Sequence, residues 1–316
     1  MKMVILDGKF VNPGDVSWAP IEALGELTVY QRTEAHEVVA RARDCEVIIA
    51  NKVELSRDII AQLPKLKLIA LQSTGYNVVD ADACRAAGVR VANVPQYSTS
   101  LVAQHTFALL LELCDAVGLH NAAVHAGEWN AQNGFCFWKQ PLSELCGKTL
   151  GIYGFGAIGK RVAALANAFE MQVIACSRSP FTHEFVQQVT LDTLLTQSDI
   201  LTLHCPLTAQ TERLLNAETL AKMKPTALVL NTSRGGVIDE AALADALNNG
   251  RLAGAAVDVL STEPPAPDNP LLHAKNCIVT PHTAWAAKET RERLVLEVAE
   301  NIRSNLLLQQ PRNLVI

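Results

Sequence analysis

Arg234, Glu263 and His282 lie far apart in the chain, yet their types together could hold a carboxylate and move a proton. Arg234 follows the apolar run 227–231 and precedes Gly235 and Gly236, so its side chain can lie beside a pocket lined by main chain. A guanidinium suits a carboxylate ligand because two parallel N–H bonds fix orientation as well as charge. His282 comes after Pro281, at the end of the run 277–280. An imidazole can hand a proton to a carbonyl oxygen or take one from a hydroxyl near neutral pH. Glu263, in Ser261-Thr262-Glu263-Pro264-Pro265, lies just past a run ending at Leu260, where a carboxylate beside the imidazole would orient it. Each has a plainer reading alone: a cap, a solvated loop acid, a packed strand-end residue. The chemical reading rests on all three falling at the ends of successive apolar runs.

What must position them begins upstream. The run 149–153 opens into Gly154-Phe155-Gly156-Ala157-Ile158-Gly159, then an Ala/Leu-rich segment, 160–169, and a second apolar run, 172–176. That order is strand, tight turn, helix, strand. Gly154 is expected to supply the turn's backbone angles, Gly156 to let a pyrophosphate approach the main chain, and Gly159 to let helix and strand pack closely. The first amides of the helix are unpaired and point at the phosphates. A lone GxGxxG is weak, but this context makes it a dinucleotide site. Ser177-Arg178-Ser179 follows the second run, and no acid lies between Met171 and His183. A carboxylate there would hold the ribose 2′-hydroxyl of NAD, whereas a guanidinium between hydroxyls suits a 2′-phosphate. NADP(H) is therefore favoured; if Arg178 is only solvated, NAD(H) serves as well.

The sequence has 316 residues, of which 49% are hydrophobic. That favours two domains with sizeable cores, since single cores rarely grow past about 250–300 residues. A net charge of −5 gives no electrostatic footprint for nucleic acid or an anionic membrane. No apolar stretch approaches 18 residues and no basic segment precedes an apolar one at the start; a soluble cytoplasmic protein without a membrane partner is expected. The eight cysteines are scattered, without metal-ligand spacing, so no metal site is indicated.

Short apolar runs at 4–6, 27–30, 47–50, 68–71 and 89–92 alternate with helical segments at 34–43, 56–63 and 79–87. Such alternation means βαβ units and a parallel sheet, an α/β fold. Apolar residues recur at helical intervals from Ser100 to His125, which predicts one long helix. The stretch 127–146 carries Trp129, Phe135, Phe137 and Trp138 without periodicity; it reads equally as a loop docking on a partner subunit or one folded on its own domain. Further runs end in polar punctuation, His204-Cys205-Pro206, Thr232-Ser233-Arg234, Asp258 and Pro281-His282, and together these form a rim where ligands of open parallel sheets bind. A last helix, 288–308, is placed to return to the first domain, which would make that domain discontinuous.

Taken together, the glycine turn, His204-Cys205-Pro206-Leu207, 231–239 (NTSRGGVID), Asp258-Val259, Glu263-Pro264 and Thr280-Pro281-His282 resemble the D-isomer-specific 2-hydroxyacid dehydrogenase family nearly end to end. The resemblance implies two flavodoxin/Rossmann-like domains with parallel sheets, a nucleotide domain (98–285) being inserted into a discontinuous substrate domain (1–97 with 286–316). It places catalysis on Arg234, Glu263 and His282, the histidine being the proton donor. Residues 154–159, Ser177, Arg178, Ser179, Cys205, Pro206, Thr232, Ser233 and Asp258 would meet the cofactor, with Thr232 and Asp258 facing the nicotinamide. It also implies a homodimer. Residues 72–80 and His282-Thr283-Ala284-Trp285 are similar to glycerate dehydrogenases (hydroxypyruvate/glyoxylate reductases). By that likeness Ser73, Thr74 and Gly75 would bind a small 2-oxo acid with Arg234 and His282, and Trp138 would reach a neighbouring subunit's site. Glu263 speaks against a formate dehydrogenase, which carries Gln there. The rival from another class is an NAD(H)-sensing corepressor; the family's other oxo acids, pyruvate or bulkier, are rivals within it.

Overall fold

The computed structural model describes residues 1–132 and 134–316. The chain forms two compact units, Met1–Ser98 with Trp285–Ile316, and Thr99–Ala284.

In the first unit, β1 (Lys2–Ile5), β2 (Glu26–Val29), β3 (Val47–Ala50), β4 (Leu68–Leu71) and β5 (Arg90–Ala92) form a wholly parallel sheet in the order β2-β1-β3-β4-β5. β3 (VIIA) and β4 (LIAL) are buried along their whole length, as strands covered on both faces must be. Asp80 accepts from the Ala83 amide to start the helix Ala81–Ala87, and Gly88 at φ 68° ends it. The helix Lys288–Ile302 buries Leu294, Val295, Val298 and Ile302 in this unit's core.

The second unit holds β6 (Thr149–Tyr153), β7 (Gln172–Cys176), β8 (Val186–Gln188), β9 (Ile200–Leu203), β10 (Leu228–Asn231), β11 (Gly254–Val257) and β12 (Cys277–Val279). All pairs are parallel, in the order β12-β11-β10-β9-β6-β7-β8. The winding reverses between β6 and β9, where open α/β sheets leave a crevice at the strands' carboxyl ends. β8 escapes the sequence reading because only three residues pair, and Val186 alone is buried among them.

The long helix predicted over 100–125 is two helices, Thr99–Asp115 and Val117–His125, bent by 56°. Ala116 takes a left-handed conformation, φ 47° and ψ 45°, and both carboxylate oxygens of Glu112 accept the Gly118 amide that opens the second helix. Apolar periodicity runs through the break and conceals it. The segment 34–43 likewise divides, into a single tight turn (Ala35–Glu37) and a short helix (Val38–Ala42). No single helix among the described residues is long and apolar enough to cross a membrane.

Candidate active site

At the end of β6, Gly154 adopts φ +100°, and a Cβ on it would fall 2.5 Å from the His204 carbonyl oxygen. A Cβ on Gly159 would fall 2.3 Å from the Gly154 carbonyl oxygen, whereas one on Gly156 would meet nothing within 4 Å. Two glycines thus permit close backbone approach, and the one between them leaves open space at the start of the helix Ala157–Ala168. The first amides of that helix have no partner within it. Phe155 turns inward and stacks on Phe181, ring centroids 4.2 Å apart, with His183 at its edge.

Beyond β7, the loop carrying Ser177, Arg178 and Ser179 is held by a residue the sequence reading passed over. Gln188, on β8, accepts the Phe181 amide at 2.9 Å and donates to the carbonyls of Ser177 and Ser179 at 3.4 and 3.3 Å. Arg178 is exposed and forms no ion pair among the described residues.

β9 delivers His204, Cys205 and Pro206. His204 Nε2 meets Thr202 Oγ1 at 2.9 Å, while Nδ1 is enclosed without a partner among the described residues. Burial pulls this imidazole down to about 3 and pushes the Cys205 thiol up to about 11, so neither is charged near neutrality.

After β10 the buried Asn231 folds the turn: its Oδ1 accepts from the Ser233 amide and hydroxyl, and its Nδ2 donates to the Arg234 carbonyl. Arg234 is exposed and donates to the Ser233 carbonyl at 2.7 Å. A Cβ on Gly235 would lie 1.9 Å from the carbonyl carbon of Leu260, so glycine here lets the Arg234 turn press against the loop leading to Glu263. In that loop Glu263 accepts the Leu260 amide at 3.1 Å with Oε1, and Oε2 lies 2.6 Å from His282 Nδ1. The sequence separates these partners by 19 residues; the fold makes them a dyad, and Nε2 of the imidazole has no partner among the described residues. His282 itself is left-handed, φ 53°, its N–H shared between the carbonyls of Asp258 and Thr280.

Asp258 is buried and paired. Its carboxylate accepts from Thr280 Oγ1 at 2.6 Å and from the amides of Thr283 and Ala284, with His105 Nε2 at 3.4 Å. Burial raises its pKa, but bonds from His105, Thr280 and the two amides outweigh that and hold the carboxyl below its ordinary range. Thr232 is buried against Thr106. His105 and Thr106 were also missed in sequence; the only signal is two polar residues on the apolar side of a helix.

Ser73, Thr74 and Gly75 follow β4 in the first unit. Ser73 Oγ donates to the Gly75 carbonyl and Thr74 Oγ1 to that of Val94, while the amides of Thr74 and Gly75 have no acceptor among the described residues. Trp138 is 67% exposed, and no hydrogen bond or ring contact joins it to the dyad among the described residues.

Residues 107–284 match the model of the D-isomer specific 2-hydroxyacid dehydrogenase NAD binding domain. Over 100% of its length the chain is 46% identical to a hydroxypyruvate reductase of Blautia hydrogenotrophica, covering 99% of that protein. The chain belongs to this family. Like other D-2-hydroxyacid dehydrogenases, it is an oxidoreductase that uses a nicotinamide dinucleotide. It is also 42% identical to a glycerate dehydrogenase of Methylorubrum extorquens over 92% of each protein. A solved NADPH-dependent glyoxylate/hydroxypyruvate reductase of Sinorhizobium meliloti, in complex with citrate, superposes with a TM-score of 0.86 at 28% identity, covering 99% of this chain and 97% of that one. A dinucleotide fits the dehydrogenase's own residues: the open space over Gly156, which a Cβ would fill, and the first amides of the following helix, which have no acceptor among the described residues, suit a phosphate.

Proposed function

We propose that the dehydrogenase reduces hydroxypyruvate or glyoxylate to the D-2-hydroxy acid, with NADP(H) preferred over NAD(H). The observation that carries the reductase chemistry of this reading is the 2.6 Å contact between His282 and Glu263, in the loops that follow β12 and β11 of the sheet that also carries the glycine turn. The cofactor, when bound, supplies a hydride for C2 of the oxo acid. His282 gives a proton from Nε2 to the carbonyl oxygen as negative charge develops there. Glu263 keeps Nδ1 engaged, which fixes the ring and offsets the charge that the ring carries while it is protonated. Arg234 binds the substrate carboxylate and polarises the adjoining carbonyl. The first amides of the helix Ala157–Ala168 would hold the cofactor's pyrophosphate, and Thr232 and Asp258 would face its nicotinamide.

The names of the two relatives and of the S. meliloti enzyme support the substrate class. Arg178, exposed in a loop braced by Gln188, supports the 2′-phosphate. The test is a panel of hydroxypyruvate, glyoxylate, pyruvate and an aryl or branched oxo acid, each with NADPH and NADH. The highest kcat/KM is expected for one of the two small acids with NADPH. Because one methylene discriminates by only about 1–3 kcal/mol, the contrast with pyruvate will be modest and that with the bulky acid large. A much higher kcat/KM for the bulky acid rejects the substrate, and a large NADH preference rejects the cofactor assignment.

A further inference from the structure

Two consecutive residues of the helix Thr99–Asp115, His105 and Thr106, each reach a different strand end. His105 Nε2 lies 3.1 Å from Thr280 Oγ1 and 3.4 Å from Asp258 Oδ1. Thr106 Oγ1 lies 3.0 Å from Thr232 Oγ1. The neighbouring bonds decide which atom donates. Thr280 gives its single hydroxyl proton to Asp258 at 2.6 Å, so the contact with His105 requires the proton on Nε2. Thr106 gives its own to the Val102 carbonyl at 2.8 Å, so it can only accept, and Thr232 must donate to it.

Both contacts act in one sense. Thr232 spends its proton on Thr106 and keeps its lone pairs for another donor. Asp258 collects the Thr280 hydroxyl and the Thr283 amide on Oδ1, while Oδ2 receives the Ala284 amide at 2.9 Å and keeps acceptor capacity. Strand ends arranged to accept match a ligand group that offers two N–H bonds.

We propose that His105 and Thr106 are positioning residues that hold Asp258 and Thr232 as an acceptor pair for the primary carboxamide of the nicotinamide. This rests on the reading above that Thr232 and Asp258 face that ring. Loss of His105 frees Asp258 and Thr280 to turn, and loss of Thr106 frees the Thr232 hydroxyl to present its proton outward.

The test compares binding of NADP⁺ with that of its 3-acetylpyridine analogue, which lacks the carboxamide N–H groups, by titration calorimetry. In H105L and T106V, Kd for NADP⁺ should rise about tenfold while Kd for the analogue stays within about twofold. H105Q keeps a donor near Nε2 and T106S keeps the hydroxyl, so both should recover most of the loss. The ¹⁵N spectrum of the cofactor-free wild type should show His105 protonated on Nε2, a readout that does not depend on any variant folding. Unchanged NADP⁺ affinity in both variants, equal weakening towards both probes, or an Nδ1–H tautomer overturns the proposal. A wild type that binds neither dinucleotide overturns the underlying reading instead.

Discussion

Glu263 has two acceptances to make at once, one from the Leu260 amide and one from His282 Nδ1. A glutamine keeps the shape but turns one oxygen into a donor, so either the amide or the imidazole must face an N–H. The ring can escape by moving its proton to Nε2. E263Q is therefore expected to lower kcat by about 10²–10⁴, the scale of a misplaced tautomer, with KM changed only a few fold. Its ¹⁵N spectrum should lack the Nδ1–H that the Glu263 carboxylate holds in the wild type; full kcat in E263Q would uncouple the carboxylate from catalysis. His204 gives a second prediction, on stability. Its folded pKa is about 3 because of burial, against an ordinary value of 6.5. Between those values the unfolded chain holds a proton that the folded chain does not, so stability rises with pH across the window and falls on acidification. From pH 7 to 5 the loss from this group is about 2 kcal/mol. Urea unfolding at both pH values should show wild type losing about that much more than H204Q; equal pH sensitivity would reject the assignment. The places of Arg234, Glu263 and His282 just beyond strand ends were legible in sequence because each follows an apolar run and has glycine or proline beside it. His105 and Gln188 were not, because each acts on a segment that only tertiary folding brings near.

At the scale of elements, strand existence was readable and helix continuity was not. β3 and β4 announce themselves because a strand buried on both faces is apolar at every position. The break at Ala116 carries no such mark: Val117 and Leu119 continue the apolar pattern, no proline intervenes, and alanine is a poor clue to a left-handed backbone, which costs it about 1–2 kcal/mol. Part of what offsets that cost is the Glu112 carboxylate, which accepts the Gly118 amide with both oxygens at 3.2 Å and so acts as a cap delivered from the preceding helix. E112A is expected to destabilise the protein by about 1 kcal/mol, the usual worth of a cap, and E112Q, which retains one acceptor, by less. Denaturant unfolding measures both, and an E112A protein as stable as wild type would mean that the bend is set elsewhere. The same helix carries His105 and Thr106, so its straight portion before the bend has a task beyond packing.

At the scale of the molecule, the chain closes its first unit last. β1 to β5 come from the first 92 residues, yet one face of their core is completed by Leu294, Val295, Val298 and Ile302, more than two hundred residues later. Arg291 fastens the return: it forms a bidentate pair with Asp15 at 2.6 and 2.7 Å and donates to the carbonyls of Val11 and Ala286. The second unit, Thr99–Ala284, is continuous and has its own sheet and core clusters. Two cores in one chain need not melt together, and only the second is proposed to bind cofactor. Leu294 is fully buried in the first, so L294A should cost that unit about 2–5 kcal/mol and separate two transitions in a calorimetric scan. Saturating NADPH at about 100 times its Kd should then raise the stability of the second transition by about 2.7 kcal/mol and leave the first where it was, with Kd itself unchanged by the substitution. A cofactor that shifted the first transition equally, or an L294A protein that lost its affinity for NADPH, would show instead that the two cores unfold as one and that the cofactor depends on both.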